Sequence, residues 1–330
     1  MIQHPAVIAL SGASLLTSLQ LVAASLGGLA ILRHWDLESG SERQLLLERR
    51  TYLISTLVAY ALVFQLLSLF LFIFTADQLH NLFVGSMCAA GTLNVNSFGY
   101  PTLLLKIGTS LLAGCWLVIN HADAQGYDYP LTRLKYILLL FLAPLILLET
   151  VLQTVYFLRL QPDVITSCCG SLFTPVRQGA GDLLGLAHQP VQTAFFGLMA
   201  ATMTTGLWFR HSGRGALTFA GLSSATFFAS VLALISFISL YIYQLPTHHC
   251  PFCILQREYG YIGYLLYGSL ITSGIAGAGV GVLQLCRGRL SLQRALPHMQ
   301  RHLAEAALFG YLVFTLITVY YMIATPFRLD

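Results

Sequence analysis

Residues 134–157 read LKYILLLFLAPLILLETVLQTVYF, and Lys135 and Glu149 are the two charged side chains in this stretch. About 20 apolar residues in a helix cross the hydrocarbon core of a bilayer, which is roughly 30 Å thick. Seven further stretches of this kind occur along the chain, at residues 5–32, 52–75, 101–120, 191–209, 216–243, 259–285 and 303–324. We therefore predict an all-α, polytopic integral membrane helical bundle of about eight transmembrane helices.

The composition agrees with this class. Hydrophobic residues make up 56% of the 330 residues and charged residues 9%, whereas soluble domains carry roughly 25% charge. The first basic residue is Arg33, so the N-terminus lacks the basic region of a cleavable signal peptide and is predicted to be a retained helix. The linkers are too short for a soluble domain, and a net charge of +4 does not indicate nucleic-acid binding.

The orientation follows from the basic residues, because short loops rich in Lys and Arg stay in the cytoplasm. Four basic residues fall on the side of the even-numbered loops and the termini, namely Arg159, Arg177, Arg257 and Arg328. The opposite loops hold twelve: Arg33, Arg43, Arg49, Arg50, Arg133, Lys135, Arg210, Arg214, Arg287, Arg289, Arg294 and Arg301. This bias predicts a multi-pass protein of the cell inner (plasma) membrane with both termini non-cytoplasmic.

Five of the seven cysteines fall in loops of the predicted extracytoplasmic side, and these are Cys88, Cys168, Cys169, Cys250 and Cys253. Disulfides form and persist on the oxidising side of a membrane. The remaining two differ, since Cys115 lies inside the third stretch and Cys286 at the predicted cytoplasmic end of the seventh. The outer five are therefore candidate redox residues, with structural staples as the alternative.

The run CPFC, from Cys250 to Cys253, is predicted to open the seventh transmembrane helix. A thiol at a helix N-terminus is stabilised as thiolate by the macrodipole and the unbonded N–H groups. Arg257 adds a positive charge, and His248 and His249 precede the pair. Because thiolates attack disulfides and also bind soft metals, the run indicates either redox or metal chemistry.

The spacing C-x-x-C-x-x-x-R from Cys250 to Arg257 resembles the reactive segment of the DsbB family of membrane disulfide-generating proteins. The resemblance covers about ten of the 330 residues. It implies that Cys250 and Cys253 are a redox pair that passes electrons to a bound quinone and that Arg257 contacts this quinone. Tyr261 follows as a further candidate for the quinone site, from its aromatic character alone.

The order of the cysteines, with an outer-loop pair two helices before the CxxC, is similar to that of the vitamin K epoxide reductase family. This similarity implies a redox four-helix bundle in residues 133–290, with Cys168 or Cys169 as an electron shuttle to the CxxC. Residues 1–132, with Cys88, and residues 291–330 would be additions. The DsbB family instead places its second pair after the CxxC helix, and here no cysteine follows Cys286.

The other outer cysteines leave alternatives open. A disulfide between adjacent Cys168 and Cys169 would be strained, so we expect one of them to bond elsewhere, to Cys88 or transiently to the CxxC, unless both are simply small buried residues. The loop around Cys88 is either an ordered re-entrant loop, with Gly91 and Asn94 as turn residues, or the equivalent of the CxxC loop in a duplicated half.

Two charged residues, Lys106 and Glu149, lie inside predicted membrane helices, where charge is costly and marks function or pairing. Their predicted depths are compatible with an ion pair. Lys106 could instead reach outward to the interface. Lys106 and Glu149 could also have a proton or ligand role at a quinone site, with Glu149 as the candidate to conduct protons to the quinone.

We predict a membrane thiol–disulfide oxidoreductase that relays electrons between an extracytoplasmic thiol protein, such as one of thioredoxin fold, and a membrane quinone. The alternative is a copper- or zinc-handling membrane protein that uses His248, His249, Cys250 and Cys253. A third possibility is a permease subunit with structural cysteines. Membrane lipid and other subunits of a membrane complex are further expected partners.

Overall fold

A computed structural model describes residues 4–36, 41–161, 164–166, 188–246 and 248–327. Every regular element among these residues is a helix, so the prediction of an all-α chain is confirmed for them. The helices are α1 (Pro5–His34), α2 (Glu42–Gln78), α3 (Ala89–Leu93), α4 (Gly99–Asp123), α5 (Thr132–Leu158), α6 (His188–Ser212), α7 (Ala216–Ala233), α8 (Ser239–Tyr243), α9 (Ile262–Leu285) and α10 (Ala295–Ala324). A π-helical turn, Leu234–Ile238, joins α7 to α8.

Seven helical spans in the described residues are long and apolar enough to cross a membrane: Pro5–His34, Glu42–Leu82, Gly99–Asp123, Thr132–Leu158, Ala216–Tyr243, Ile262–Leu285 and Ala295–Ala324. The chain is therefore a multi-pass membrane protein by the length and composition of its helices. The predicted fifth stretch is present as α6 but is not among the seven. Polar side chains such as His188, Gln189 and Gln192 fill its first turns, and an eighth crossing stays a prediction.

Several helices extend beyond the apolar stretch that predicted them. The helix α2 begins at Glu42 rather than residue 52, and α10 begins at Ala295 rather than residue 303. The added turns are rich in Arg, Glu, Leu and Gln, which favour a helix without being apolar. Hydropathy therefore located the apolar part of each helix and not its end.

The described chain packs as two compact units. Unit 1 comprises Met1–Thr75, Asn96–Leu160 and Val282–Met299. Its core is formed by α1, α2, α4 and α5, whose side chains include the fully buried Trp116, Tyr136 and Leu142. Within this unit α5 packs against α1 and α4, and the predicted division of the chain into residues 1–132, 133–290 and 291–330 stays a prediction.

Unit 2 comprises Ala76–Val95, Gln161–Gly281 and Gln300–Asp330. Phe209, Phe219 and Val280 lie in its core, with small residues between them. At Gly277 of α9 an added Cβ would lie 1.9 Å from the Ser223 Oγ of α7, so the two helices approach as closely as glycine allows. Such small-residue contacts are a common way for helices to pack in membranes. Cys88 and the CPFC run both belong to this unit.

Candidate functional site

The CPFC run does not open a transmembrane helix, contrary to the prediction. Cys253 begins a 3₁₀ turn, Cys253–Leu255, a second 3₁₀ turn covers Arg257–Tyr259, and α9 starts at Ile262. Gly260 and Tyr261 separate these turns from α9 with positive φ angles of 62° and 57°, a left-handed conformation that interrupts a helix. The macrodipole of α9 is thus nine residues away from Cys253 and does not explain a reactive thiol, since such effects fall off within one turn.

Two tyrosines hold the backbone of the CPFC run. The Tyr243 hydroxyl donates to the Cys250 carbonyl at 2.5 Å and accepts from the Ile254 N–H at 2.9 Å. The Tyr267 hydroxyl donates to the Pro251 carbonyl at 2.7 Å. The run is therefore fixed by α8 on one side and α9 on the other, although it is irregular itself.

Cys88 completes a cluster of three thiols. It precedes the short helix α3, and its Sγ lies 3.5 Å from the Sγ of Cys250, a residue 162 positions later. The Sγ atoms of Cys88, Cys250 and Cys253 all lie within 4.8 Å of one another. Cys88 and Cys250 are fully buried, and Cys253 is 5% exposed. We call these three residues the thiol triad.

Hydrogen bonds from Gln256 join two segments, residues 77–89 around Cys88 (the Cys88 segment) and residues 250–256 around the CPFC run (the CPFC segment). We call these hydrogen bonds the latch. The Gln256 Nε2 donates to the Met87 carbonyl at 2.7 Å and to the Asp77 Oδ1 at 3.2 Å. Asp77 Oδ1 also accepts from the Ala89 N–H at 3.2 Å, next to Cys88. Asp77 and Gln256 were not among the site residues predicted from the sequence, and the charge of Asp77 in a predicted outer loop was the one signal available.

The two histidines before the CPFC run have different surroundings. His248 Nε2 lies 3.3 Å from Cys253 Sγ. Burial, and then the charge of His249, lower the pKa of His248, which favours its neutral imidazole. His249 Nδ1 lies 3.0 Å from the Ile235 carbonyl in the π-helical turn, and its ring stacks on His188. His248 alone is thus adjacent to a triad thiol in these contacts.

The triad favours one thiolate, at Cys250. Hydrogen bonds from the Cys253 thiol and then from the Cys88 thiol lower the pKa of Cys250 to about 5. A second negative charge next to this thiolate is unfavourable. The interaction of Cys253 with Cys250 therefore raises the pKa of Cys253. A low-pKa thiol is the nucleophilic form in disulfide exchange. The reactive-thiol expectation thus has a different physical origin, neighbouring thiols in place of a helix dipole.

Arg257 and Tyr261 line a cavity of about 290 Å³. The other lining residues are mostly polar, and they are Asp77, Gln78, His80, Met87, Gln256 and Glu258. Asp77 and His80 form an ion pair at 3.9 Å when the imidazole is protonated. The cavity adjoins the latch, and its lining suits a polar group better than an apolar tail.

Lys106 and Glu149 form the ion pair that their predicted depths allowed. Lys106 Nζ lies 2.6 Å from Glu149 Oε1, and both side chains are almost fully buried in unit 1. The Glu149 Oε2 accepts from the Gln65 Nε2 at 2.6 Å and from the Thr109 hydroxyl at 2.5 Å, and Lys106 Nζ donates to the Ser68 hydroxyl at 3.1 Å. The outward-reaching alternative for Lys106 is therefore wrong, and a role of either residue toward a quinone stays a prediction.

Cys168 and Cys169 lie outside the described residues. The described chain before them ends at Thr166, whose N–H donates to the Val84 carbonyl at 3.0 Å. The backbone two residues before Cys168 is thus tied to the backbone four residues before Cys88.

Cys115 and Cys286 both line a cavity of about 1020 Å³ in unit 1.

Comparison of this chain with protein-family models, with curated proteins and with solved structures finds no match.

Proposed function

We propose that this multi-pass membrane protein is a thiol–disulfide oxidoreductase whose reaction centre is the thiol triad. The observation that carries the proposal is the 3.5 Å separation of Cys88 Sγ and Cys250 Sγ, in a cluster that also holds Cys253. A structural disulfide needs only two cysteines. A third thiol beside such a pair permits thiol–disulfide exchange. Cys250 can form a disulfide with either neighbour.

The exchange step conserves electrons. In the oxidised centre, a thiolate at Cys88 attacks the Cys250 Sγ of the Cys250–Cys253 disulfide, forms the Cys88–Cys250 bond and releases Cys253 as thiolate. Net oxidation requires two half-reactions. A partner dithiol reduces the triad disulfide to a dithiol and becomes a disulfide, and the triad dithiol then passes two electrons and two protons to a quinone, which becomes a quinol.

The burial of the triad determines how electrons arrive. A folded partner protein cannot bring its own cysteine to thiols that are 0 to 5% exposed without rearrangement of the site. We therefore propose Cys168 or Cys169 as the shuttle between an extracytoplasmic thioredoxin-fold partner and the triad. The bond between Thr166 and Val84 supports this proposal, because it anchors the start of the shuttle segment beside the Cys88 segment.

The quinone rests on the resemblance of the Cys250–Arg257 run to the DsbB family. Arg257 and Tyr261 line the polar cavity beside the latch, where the quinone ring carbonyls would find hydrogen-bond donors. The apolar tail would have to lie outside this cavity, on a lipid-facing surface. Glu149 and Lys106 belong to unit 1. We propose that Glu149 supplies protons to the quinone.

The proposal is tested by trapping thiols in native membranes with a mass-tagged alkylating reagent, before and after a soluble quinone is added. Peptide mapping should show Cys250 linked to Cys253 after oxidation of the unmodified protein. The Cys253→Ser variant should form a Cys88–Cys250 disulfide, and the Cys88→Ser variant should keep the Cys250–Cys253 bond. Cys286→Ser, which changes a thiol of the other unit, is the matched control. The proposal fails if no triad thiol changes its oxidation state under any of these conditions.

A further inference from the structure

We propose that the reduced thiol triad and His248 form a binding site for one Zn²⁺ ion. The predicted metal set contained His249 and omitted Cys88. The contacts favour the opposite choice, because Cys88 Sγ lies against Cys250 Sγ whereas His249 Nδ1 faces the Ile235 carbonyl.

The separations fit tetrahedral zinc. With Zn–S bonds of about 2.3 Å, two thiolates of a tetrahedral site lie about 3.8 Å apart. The Cys88 and Cys250 Sγ atoms are 3.5 Å apart, and all three triad Sγ atoms lie within 4.8 Å of one another. The Cys88–Cys250 separation differs from the zinc value by a few tenths of an ångström, and the other Sγ pairs would have to close by at most about 1 Å.

His248 is the proposed fourth ligand, and it would have to move toward Cys88 and Cys250, because its ring nitrogens do not lie within 4.8 Å of all three triad Sγ atoms. With a Zn–N bond of about 2.0 Å, the imidazole nitrogen and a thiolate lie about 3.5 Å apart in a tetrahedral site. The His248 Nε2 is 3.3 Å from Cys253 Sγ. Three cysteines and one histidine make a closed ligand set of the structural type.

Charge and burial select the ion. Three thiolates and a neutral imidazole leave a net charge of −1 around Zn²⁺ but −2 around Cu⁺, and a buried charge is unfavourable unless it is compensated. Backbone N–H groups of Phe252 and Cys253 point to Cys250 Sγ and stabilise a thiolate there. The tyrosine bonds to the carbonyls of Cys250 and Pro251 hold two of the ligand-bearing residues in place.

Zinc binding and disulfide formation would be alternative states of the same thiols. Binding itself does not depend on the proposed redox function. Release does, because oxidation of Cys250 and Cys253 by a quinone withdraws two electrons, forms their disulfide and removes two of the four ligands. A zinc-loaded triad would thus be a protected, inactive form of the relay.

The test uses the full-length protein in detergent, reduced and stripped of metal, and titrates Zn²⁺ against a chromogenic chelator. One Zn²⁺ per chain is expected, with affinity lowered by at least about 100-fold in Cys88→Ser and at least about tenfold in His248→Ala, since even outer-shell partners of a metal contribute 10- to 100-fold. His249→Ala should bind as the unmodified protein does. Co²⁺ substitution gives a second measurement, because the thiolate-to-cobalt absorption should weaken in Cys88→Ser whether or not the affinity can be determined.

The outcomes separate this proposal from the proposed function. Absence of bound Zn²⁺ in the reduced protein, or equal binding by Cys88→Ser, overturns the zinc site while disulfide trapping can still support the oxidoreductase. Retention of Cu⁺ without retention of Zn²⁺ overturns the assignment of the ion. Stoichiometric Zn²⁺ binding by thiols that never oxidise supports the site and refutes the relay.

Discussion

The latch between Gln256 and the Cys88 segment gives the sharpest prediction. Replacing Gln256 by Ala removes the donors to the Met87 carbonyl and the Asp77 Oδ1. The bond from the Ala89 N–H to Asp77 remains, because it lies within the Cys88 segment. The variant should thus loosen the contact between the two segments without unfolding either.

The size of the effect follows from the two bonds that are lost. Each net hydrogen bond contributes about 0.5 to 1.5 kcal/mol, and the pair therefore stabilises the closed arrangement by about 1 to 3 kcal/mol. Gln256 is only half-buried, so we expect a value of about 1 to 2 kcal/mol, which is roughly a 5- to 30-fold increase in the local opening equilibrium.

The assay is the alkylation rate of Cys88. This thiol is fully buried and reacts only through local opening, so its rate is proportional to the opening constant. Mass spectrometry of the reduced protein should show Cys88 alkylated roughly 5- to 30-fold faster in Gln256→Ala. Gln78→Ala is the matched control, because Gln78 is an exposed glutamine of the same cavity.

Two results would refute the reasoning. A Cys88 rate within about twofold of the unmodified protein would mean that the Gln256 bonds do not hold the segments together. An equal acceleration at Cys286 would show that the whole protein had been destabilised and not the latch.

Buried charges, the thiolate and the tyrosine bonds give three more expected outcomes. Glu149→Gln leaves the Lys106 ammonium without its carboxylate and should lower the free energy of unfolding in mixed micelles by about 3 to 5 kcal/mol, and a loss below about 1 kcal/mol would show that the pair is not desolvated. Where the variant folds, quinone reduction should slow while thiol exchange with the partner persists, and equal loss of both points to folding. The pKa of Cys250 is lowered to about 5, so thiolate ultraviolet absorbance absent from Cys250→Ser should be present above that pH and lost below it. Burial raises the pKa of Cys286, so the control Cys286→Ser should leave the absorbance unchanged near neutral pH. A titration midpoint of Cys250 above about pH 8, near that of an ordinary thiol, would contradict the lowered pKa of Cys250. Tyr243→Phe leaves a buried carbonyl and a buried N–H unpaired and should lower the free energy of unfolding by about 2 kcal/mol or more, whereas an unchanged value means that water or a shifted backbone replaces the hydroxyl.

Apolar stretches predicted the helices well because a bilayer imposes a length and a composition on any segment that crosses it. The ion pair between Lys106 and Glu149 could be anticipated for a related reason, since two charges at matching depth have few other partners. Both inferences depend only on depth along the membrane normal, and the spacing of residues in a transmembrane helix measures this depth directly.

The triad could not be predicted in the same way. The nearness of Cys88 to Cys250 depends on how two loops pack, and spacing along the chain does not report this. The misplaced start of α9 has a local cause, because Gly260 and Tyr261 adopt left-handed backbone angles. Gly260 was a visible signal, but apolar residues on both sides of it favoured a continuous helix.

The membership of residues 76–95 in unit 2, with chain from unit 1 on both sides, has a consequence for biogenesis. Cys88 leaves the ribosome 162 residues before Cys250. At roughly 5 to 20 residues per second, translation takes on the order of ten to thirty seconds to supply the missing partner. In the predicted orientation, the nascent thiol spends that interval on the oxidising side of the membrane, where other thiols can capture it. The yield of correctly paired protein should therefore depend on the redox conditions that the unfinished chain meets.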